Sequence, residues 1–275
     1  MADFSEISDK YEKDSLVQKS AGEILMDMLA IKSSDNVLDL GCGTGHLTKL
    51  IREKTRGKVV GVDPSEGMIK KATEKYAGDN ILFFNLAVEQ LDFDNEFDSI
   101  FCNSAFQWFT NPASALAACH NCLKNNGKIA IQAPAQSNYC PNFLAAVENV
   151  KGDQATREIF AEFSAPWFFL ESADEYARLF ADAGFTVSKS TIDRVSSFHS
   201  AEEVFKIFES GAAAGYLNQK FYRGKLPSNY ADSFRDLVRK SFVNQADETG
   251  QVELIFSRIY LLAVKEDNRG RPENL

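Results

Sequence analysis

The sequence predicts an α/β fold in which a parallel sheet is doubly wound, with helices on both of its faces. Two observations predict it. Between residues 36 and 132, short apolar strand patterns alternate with helix patterns, and this alternation is typical of a parallel sheet whose crossover helices cover it. A strand, a glycine-rich bend and a helix also follow one another at the start of this region, and such corners bind ligands in sheets of this kind.

The elements follow in a regular order. A helix is expected over residues 21–30, where apolar residues recur three and four positions apart. Five strands are then expected over residues 36–40, 59–62, 81–85, 97–103 and 128–132. Helical patterns begin at His46, after the dipeptide Pro64-Ser65 and at Ala113, between these strands. These alternating strands and helices therefore predict the parallel part of a doubly wound sheet.

The pattern changes after Pro134. Residues 135–172 are rich in aromatic side chains, more than a simple crossover requires. A helix is expected over residues 173–183, with Gly184 as its C-terminal cap, and strands are expected over residues 185–194 and 252–264. Residues 200–248 have a helical and partly basic pattern. The last residues, 266–275, are expected to be a disordered tail.

The most informative stretch runs from Asn36 to Gly45 and reads N-V-L-D-L-G-C-G-T-G. Gly41, Gly43 and Gly45 follow an apolar strand and precede a helix. Glycine permits positive φ angles and lets a ligand approach the backbone closely. The helix that begins there presents free N–H groups and the positive end of its dipole. This corner is therefore expected to bind a ligand.

The spacing of the glycines excludes the common phosphate ligands. In the dinucleotide fingerprint the third glycine comes one residue later than Gly45, and the acidic Asp39 would repel a pyrophosphate. A P-loop is excluded because no Gly-Lys-Ser or Gly-Lys-Thr follows. A carboxylate at this bend instead suits a cationic ligand. S-adenosylmethionine carries an ammonium and a sulfonium and has no phosphate.

Asp63 supports the same ligand. It ends the next apolar strand pattern, about one βαβ step after Asp39. A carboxylate at this position can accept hydrogen bonds from both ribose hydroxyls. The alternative is that Asp63 caps the helix that follows Pro64. Both roles can coexist.

Composition limits the remaining classes. The chain has 275 residues, 44% of them hydrophobic, and a formal net charge of −9, so non-specific nucleic-acid binding is not expected. It has no apolar stretch of about 18 residues and no signal-peptide pattern, so no membrane span and a cytoplasmic location are expected. An odd number of cysteines, five, argues against a disulfide framework. The sequence around Cys119 and Cys122 has no second ligand pair, and no metal site is expected.

With these residues in view, the chain resembles the class I S-adenosylmethionine-dependent methyltransferases, over about residues 21–132. The resemblance implies a seven-stranded, mostly parallel Rossmann-like sheet with an antiparallel last strand and a helical lid inserted between strands six and seven. It implies a single domain over residues 1–265. Its core would comprise residues 21–134, 173–195 and 252–265, and its substrate lid residues 135–172 and 196–250.

A narrower resemblance lies in residues 102–109, which read C-N-S-A-F-Q-W-F. They are similar to the S-N-x-A-x-Q-W run of the trans-aconitate and malonyl-carrier-protein methyltransferases. Residues 209–217 and 256–260 also look like the former. Both families methylate a carboxylate oxygen, on a small acid or on a carrier-bound acid. The resemblance therefore implies a small acid as substrate and, as a possible partner, an acidic carrier protein.

The resemblance also implies the contacts of S-adenosylmethionine and of its product, S-adenosylhomocysteine. The methionine end is expected to contact Asp39, Gly41, Gly43 and Gly45, and the ribose is expected to contact Asp63. The adenine is expected beside Pro64, Met68, Ala87 and Val88. Asn103 and Ser104 are expected near the transferring methyl, and Tyr11 at the entrance of the pocket. Many relatives have an acid where this chain has Ala87, so adenine recognition is expected to rest on the Val88 backbone.

A carboxylate is ionised at neutral pH and needs no general base, so Gln107 and Trp108 are expected only to position the substrate. Tyr139 and Trp167 are expected in an aromatic box with Trp108 and Phe168. Arginine binds carboxylates bidentately, and the arginines considered for this role are Arg157, Arg194, Arg223 and Arg258. Arg223 is the substrate candidate among them, although the sequence alone does not distinguish the four.

Two interpretations of the basic stretch over residues 220–240 stay open, a docking surface for an acidic carrier and a solvated helical face. Two other functional classes also stay open. One is a methyltransferase that acts on a carbon, nitrogen or sulfur nucleophile. The other is a non-catalytic protein that binds S-adenosylmethionine.

Overall fold

A computed structural model of the chain describes residues 16–267, with side chains from residue 21 onward. Its centre is a seven-stranded sheet. The strands are β1 (Val37–Leu40), β2 (Val59–Asp63), β3 (Leu82–Asn85), β4 (Phe97–Asn103), β5 (Leu123–Pro134), β6 (Thr186–Ser200) and β7 (Gln251–Val264). Their order is β3-β2-β1-β4-β5-β7-β6. The first five strands run parallel, and β7 is antiparallel to both of its neighbours. The predicted sheet is confirmed.

The helices alternate with the strands as expected. They are α1 (Leu16–Leu29), α2 (His46–Lys54), α3 (Glu66–Lys75), α4 (Pro112–Cys122), α5 (Pro141–Gly152), α6 (Arg157–Phe160), α7 (Ala173–Asp182), α8 (Ala201–Ser210), α9 (Ala213–Tyr216) and α10 (Tyr230–Gln245). Short 3-10 turns occur at Val88–Gln90, Phe106–Trp108 and Gln219–Phe221. Among residues 16–267, no helix is both long enough and apolar enough to cross a membrane.

Both faces of the sheet are covered. On one face, Leu25, Met26 and Leu29 of α1 pack with Phe101 and Ala130 of the central strands. The core on the other face is larger and is formed mainly by β1, β2, β4, β5, α4, α7 and β7. Burial of these apolar side chains on two faces is what a doubly wound sheet requires.

A third cluster of buried side chains, more than half of them aromatic, lies mainly in the predicted lid. Phe143 of α5 stands with its ring centroid 5.1 Å from that of Phe208, 5.8 Å from that of Phe242 and 5.4 Å from that of Phe256. These residues come from α5, α8, α10 and β7, so both predicted parts of the lid share one core. Helices α8 to α10 lie between β6 and β7 in the chain. The division into one domain with these core and lid boundaries stays a prediction.

Two strands are longer than predicted by more than one residue. Strand β6 continues to Ser200, where the predicted strand ends at Arg194, because its second half pairs with the first half of β7 as far as Ser200 and Gln251. Strand β5 begins at Leu123 because Leu123 pairs with Phe97, although the register shifts before the next pair, Ser99 with Lys128. Both extensions depend on pairing with distant residues, which local periodicity does not reveal. The predicted tail lies outside the described residues from residue 268 onward.

Candidate functional site

The glycine bend after β1 has the geometry that only glycine adopts easily. The φ angles of Gly41, Gly43 and Gly45 are 78°, 55° and 79°, in the left-handed region where a side chain is strained. A Cβ atom on Gly41 would lie 2.3 Å from Cβ of Ala105, and one on Gly45 would lie 2.9 Å from the Phe83 ring. The bend is therefore packed directly against the loop after β4 and against β3.

Asp39 lies beneath this bend as a buried carboxylate with 2% of its surface exposed. Thr48 of α2 donates a hydrogen bond from Oγ1 to Oδ2 of Asp39, at 2.6 Å. Burial raises the pKa of Asp39 to about 7; the Thr48 hydrogen bond lowers it, and the nearby Asp63 raises it. The ionised form is therefore costly here unless a cation stands beside it.

Asp63 connects the ends of the first two strands. Its Oδ2 accepts a hydrogen bond from the amide of Gly43 at 3.0 Å, and its Oδ1 accepts one from the amide of Ser65 at 2.9 Å. The cap of α3 is Ser65, whose Oγ accepts from the amide of Met68 at 3.3 Å. The alternative that Asp63 caps this helix is therefore wrong. Its carboxylate is held at the carboxyl edge of the sheet.

The residues predicted at the adenine lie next to Asp63. The amide of Leu86 donates to the Asp63 carbonyl at 3.2 Å, which brings the following Ala87 and Val88 to this edge. The Ala87 amide is occupied by Oε1 of Gln90, at 2.8 Å. Val88 is 1% exposed and opens a 3-10 turn, where amides lack an intrahelical acceptor. Met68 is buried at the start of α3, and Pro64 is half-buried.

The end of β4 contributes a polar network. Asn103 ends the strand and is 9% exposed. Ser104 follows with a positive φ of 56°, which is unusual for a residue with a side chain. Its amide donates to the Gln132 carbonyl at 2.7 Å, and its Oγ donates to Oε1 of Gln132 at 3.1 Å. The sequence analysis missed Gln132. Its signal is a single glutamine at the end of the apolar strand pattern I-A-I-Q.

Gln107 and Trp108 lie in the 3-10 turn after β4 and are 7% and 5% exposed. Nε2 of Gln107 donates to the Ser104 carbonyl at 2.8 Å. The carbonyl of Gln107 accepts from the amide of Phe168 at 2.8 Å, and the rings of Trp108 and Trp167 are 5.6 Å apart. The turn thus connects the edge of the sheet to the aromatic lid segment. This contact joins two segments that lie far apart in the sequence.

The structure brings Tyr139 and Trp167 into the lid cluster. Tyr139 is 6% exposed and stacks on Phe169 with centroids 5.1 Å apart. Trp167 meets Tyr216 at 4.8 Å. Arg223, by contrast, is exposed after the turn at Gln219–Phe221 and does not join these two side chains. Its role in binding the substrate stays a prediction. Tyr11 lies outside the described residues.

Arg258 is the buried arginine of the four considered. It is 5% exposed, whereas Arg157, Arg194 and Arg223 are exposed. Its guanidinium carbon stands 4.8 Å from the Phe256 ring centroid. Burial lowers the pKa of Arg258, and contact with Tyr260, which shares a hydrogen bond with it, opposes this. An arginine keeps its charge even so, so β7 carries a fixed cation opposite Pro134, the last residue of β5.

The site contains carboxylates, amides and one cation, and its thiols are unreactive. Burial raises the pKa of the Cys42 and Cys102 thiols well above the usual value, so neither is a thiolate at neutral pH. Among residues 16–267, no group of three metal-ligating side chains is close enough to hold an ion. The arrangement is suited to holding and aligning ligands at the carboxyl ends of β1, β2, β4 and β5.

Comparison with known proteins assigns this architecture. Residues 38–131 match a family described as a methyltransferase domain. The chain is 30% identical over 190 residues to an uncharacterised methyltransferase of Schizosaccharomyces pombe, with 67% of this chain and 72% of that protein covered. It is 32% identical over 130 residues to a malonyl-[acyl-carrier protein] O-methyltransferase of Acetivibrio thermocellus, with 46% of each covered. The chain spans about half the length of the first curated relatives that it matches.

Solved structures agree on the fold. The YcgJ protein from Bacillus subtilis matches with a TM-score of 0.60 at 15% identity, over 91% of this chain and 100% of that one. A 1,6-didemethyltoxoflavin-N1-methyltransferase of Burkholderia thailandensis, solved with S-adenosylhomocysteine, matches with a TM-score of 0.52 at 18% identity, over 93% and 80%. At these identities the likeness concerns the fold.

Proposed function

This chain belongs to the class I S-adenosylmethionine-dependent methyltransferases, and from that premise we propose that it methylates a carboxylate oxygen of a small acid. The observation that carries the choice of acceptor is the buried cation of Arg258 at the carboxyl edge of the sheet. Two curated relatives support it by name, a malonyl-[acyl-carrier protein] O-methyltransferase and a trans-aconitate 2-methyltransferase of Rhodopseudomonas palustris, 31% identical over 111 residues.

The side chains of the glycine corner fit the cofactor. Asp39 and Asp63 place two carboxylates beside a bend that contains no lysine or arginine, which suits a ligand with cationic groups and no phosphate. Asp39, Gly41, Gly43 and Gly45 would hold the methionine end, and Asp63 would hold the ribose. Pro64, Met68, Ala87 and Val88 would surround the adenine, and Asn103 and Ser104 would lie near the methyl. The assignment of these contacts is part of the proposal.

When bound, S-adenosylmethionine would supply a methyl group attached to a sulfonium. Transfer to an acceptor oxygen would form a carbon–oxygen bond and break the carbon–sulfur bond, whose electron pair would stay on sulfur. No proton would have to move. The protein therefore has to align the acceptor and exclude water. Arg258 would orient the carboxylate with the hydroxyl of Tyr260. Trp108, Tyr139 and Trp167 would form an apolar wall that excludes water from the ester-forming oxygen.

The experiment is a transfer assay with labelled S-adenosylmethionine and a panel of small carboxylic acids, followed by mild base. A base-labile product identifies a methyl ester. Stable label in the product would instead identify a carbon, nitrogen or sulfur acceptor, and cofactor binding without transfer to any acceptor would identify a non-catalytic binding protein. Either result would overturn the proposal of carboxyl O-methylation.

The Arg258→Lys variant tests the observation that carries the proposal. Lysine keeps the charge but loses the planar pair of donors, and we expect kcat/KM for the acid to fall roughly 30-fold, about 2 kcal/mol, while S-adenosylhomocysteine still binds. Arg194→Gln on β6 is the control, because Arg194 is exposed. Equal loss in both variants, or loss of cofactor binding in Arg258→Lys, would contradict the assigned role.

A carrier-bound acid is the second candidate, and one surface feature favours it. Between residues 217 and 228 the chain carries Lys220, Arg223 and Lys225 and no acidic residue, and all three cations are exposed. Further along, Nε of Arg235 pairs with Glu209 at 3.0 Å, and Nη1 of Arg239 pairs with Glu202 at 2.6 Å. The loop over residues 217–228, here the basic loop, is thus the part of the predicted basic stretch best suited to an acidic partner.

A further inference from the structure

Three polar side chains stand next to one another at the carboxyl edge of the sheet. Asn103 of β4 pairs in register with Gln132 of β5, and Gln132 pairs with Tyr260 of β7. Residues that pair directly across strands project from the same face, with Cβ atoms about 4.5–5.5 Å apart. Asn103, Gln132 and Tyr260 therefore form one row, here the edge row. Arg258 lies on the same face, two residues from Tyr260 along β7.

Gln132 is the central member of the edge row and is fully buried, with 0% of its surface exposed. Its Oε1 accepts a hydrogen bond from Oγ of Ser104 at 3.1 Å. Its Nε2, which carries two donor hydrogens, has no acceptor among the described residues with placed side chains, 21–267. A buried amide without a partner is costly, and proteins retain few of them. A ligand oxygen at this position would satisfy it.

Ser104 holds the Gln132 side chain in this orientation, and it does so from a strained backbone conformation. Its φ of 56° is unusual for a residue with a side chain. This conformation lets one residue donate to Gln132 twice, through its amide to the carbonyl at 2.7 Å and through its Oγ to the side chain. Nε2 of Gln107 also binds the Ser104 carbonyl at 2.8 Å. Strain and an unsatisfied donor at one point indicate a functional site.

We propose that Nε2 of Gln132 donates a hydrogen bond to the carboxylate of the methyl acceptor, which makes the edge row the acceptor subsite. The proposal rests on the function proposed above. The oxygen that stays unmethylated would accept the bond, and the other oxygen would be left to react. A neutral amide suits this contact because it orients a carboxylate without pairing its charge. Gln132 breaks and forms no covalent bond, and Arg258 supplies the attraction at longer range.

Two substitutions at Gln132 separate its possible roles. Gln132→Met keeps the length and volume of the side chain and removes both the donor and the oxygen that accepts from Ser104, so KM for the acid is expected to rise about tenfold or more. Gln132→Glu keeps the acceptor for Ser104 but replaces the donor by a negative charge, and the loss of ester formation should be larger. In both variants the Kd of S-adenosylhomocysteine is expected to stay within about twofold of the wild type.

The melting temperature of the free protein distinguishes a binding role of Gln132 from a structural one, because loss of a structural residue would lower it. Gln132→Met removes an unsatisfied buried donor, and the Ser104 hydroxyl that loses its acceptor belongs to a partly exposed residue that water can reach, so the melting temperature should equal or exceed that of the wild type. Thr191→Val is the matched control. Thr191 of β6 pairs with Tyr260 and lies two strands, about 10 Å, from Gln132. Its hydroxyl also lacks a partner within the part of the chain whose side chains are described. Its KM is expected to be unchanged.

The possible results separate the two proposals. If the wild type forms no base-labile ester, the proposed function is wrong, whatever Gln132 does. If the wild type forms the ester and Gln132→Met forms it with the same KM, the role of Gln132 is wrong and the proposed function stands. A lower melting temperature together with weaker binding of S-adenosylhomocysteine in Gln132→Met would assign Gln132 a structural role and overturn the proposal.

Discussion

At the scale of single residues, the proposed contact of Asp39 with the cofactor couples cofactor binding to pH. Its carboxylate is buried, and burial raises its pKa to about 7 in the free protein, so it is about half protonated at neutral pH. A bound ammonium or sulfonium favours the ionised form and therefore lowers this pKa. Linkage then requires that binding release a proton below pH 7, and that affinity fall as the pH falls.

We expect the Kd of S-adenosylmethionine to rise roughly tenfold from pH 8 to pH 6, because the ionised fraction of a group with a pKa of about 7 falls by that factor. Calorimetric titration at several pH values measures it. In Asp39→Asn the affinity should be low and this part of the pH dependence absent. Asp92→Asn, at an exposed position, is the control. A wild-type profile identical to that of Asp39→Asn would contradict the assignment.

The same substitution has a consequence for folding, and its sign follows from the direction of the shift. A carboxyl whose pKa is raised by folding stabilises the folded state while protonated, and this contribution is lost as the pH rises through about 7. At pH 8 the free wild type therefore carries the full cost of a buried charge. Asp39→Asn should melt at a higher temperature than the wild type at pH 8, and binding would be lost as stability is gained.

At the scale of elements, local sequence patterns predicted the helices and strands that depend on neighbouring residues alone. The glycine bend, the helix after it and strands β1, β2 and β4 come from short-range periodicity and from residues with special backbone freedom. The extensions of β5 and β6 could not be predicted in this way, because they depend on the pairing of Leu123 with Phe97 and on pairing with β7 across some fifty residues. The register of a sheet depends on how two strands pair, whereas the hydrophobic pattern of one segment describes only that segment.

The short helix α9 and the lid aromatics depend on one close contact. A Cβ atom on Gly215 would lie 2.2 Å from Cζ2 of Trp167, and Trp167 in turn meets Trp108 of the turn that carries Gln107. Gly215→Ala would therefore displace the Trp167 ring. We expect a loss of about 1–3 kcal/mol in the free energy of unfolding and a several-fold rise in KM for the acid.

Fluorescence and thermal unfolding measure this displacement well, because Trp108 and Trp167 are the two tryptophans of the sequence. The emission maximum should move in Gly215→Ala, and the Kd of S-adenosylhomocysteine should not. Gly224→Ala is the control, since a Cβ at Gly224 would meet no atom within 4 Å. An unchanged spectrum and melting temperature in Gly215→Ala would show that the contact does not constrain α9.

At the scale of the whole molecule, the site is assembled from residues that the chain separates widely. The proposed cofactor corner lies within residues 39–104, and the sequence could predict that its members lie close together, because successive βα units bring their ends to one edge. The proposed acceptor side combines the end of β5, the segment near residue 139, residues 167–168 and β7. No spacing in the sequence marks Arg258 rather than Arg223 as the buried arginine, because burial depends on how β7 and the lid pack.

Charge is also a property of the whole molecule. The chain carries a formal net charge of −9, so an acidic partner is repelled at long range. Attraction has to come from a local patch within about one Debye length, roughly 8 Å at physiological salt. The basic loop meets this condition, since its three cations are exposed and no acidic residue interrupts them between residues 217 and 228.

If a carrier-bound acid is the substrate, reversing charges in this loop should weaken docking and leave the chemistry intact. For Lys220→Glu combined with Lys225→Glu, we expect kcat/KM for the carrier-bound acid to fall about tenfold at low salt, with the difference shrinking as salt rises. Activity on the free acid should be unchanged. Lys32→Glu combined with Lys54→Glu makes the same change in charge at exposed positions before β1 and β2. An equal loss in both double variants would indicate a general effect of net charge, and no loss in either would exclude the basic loop as the docking surface.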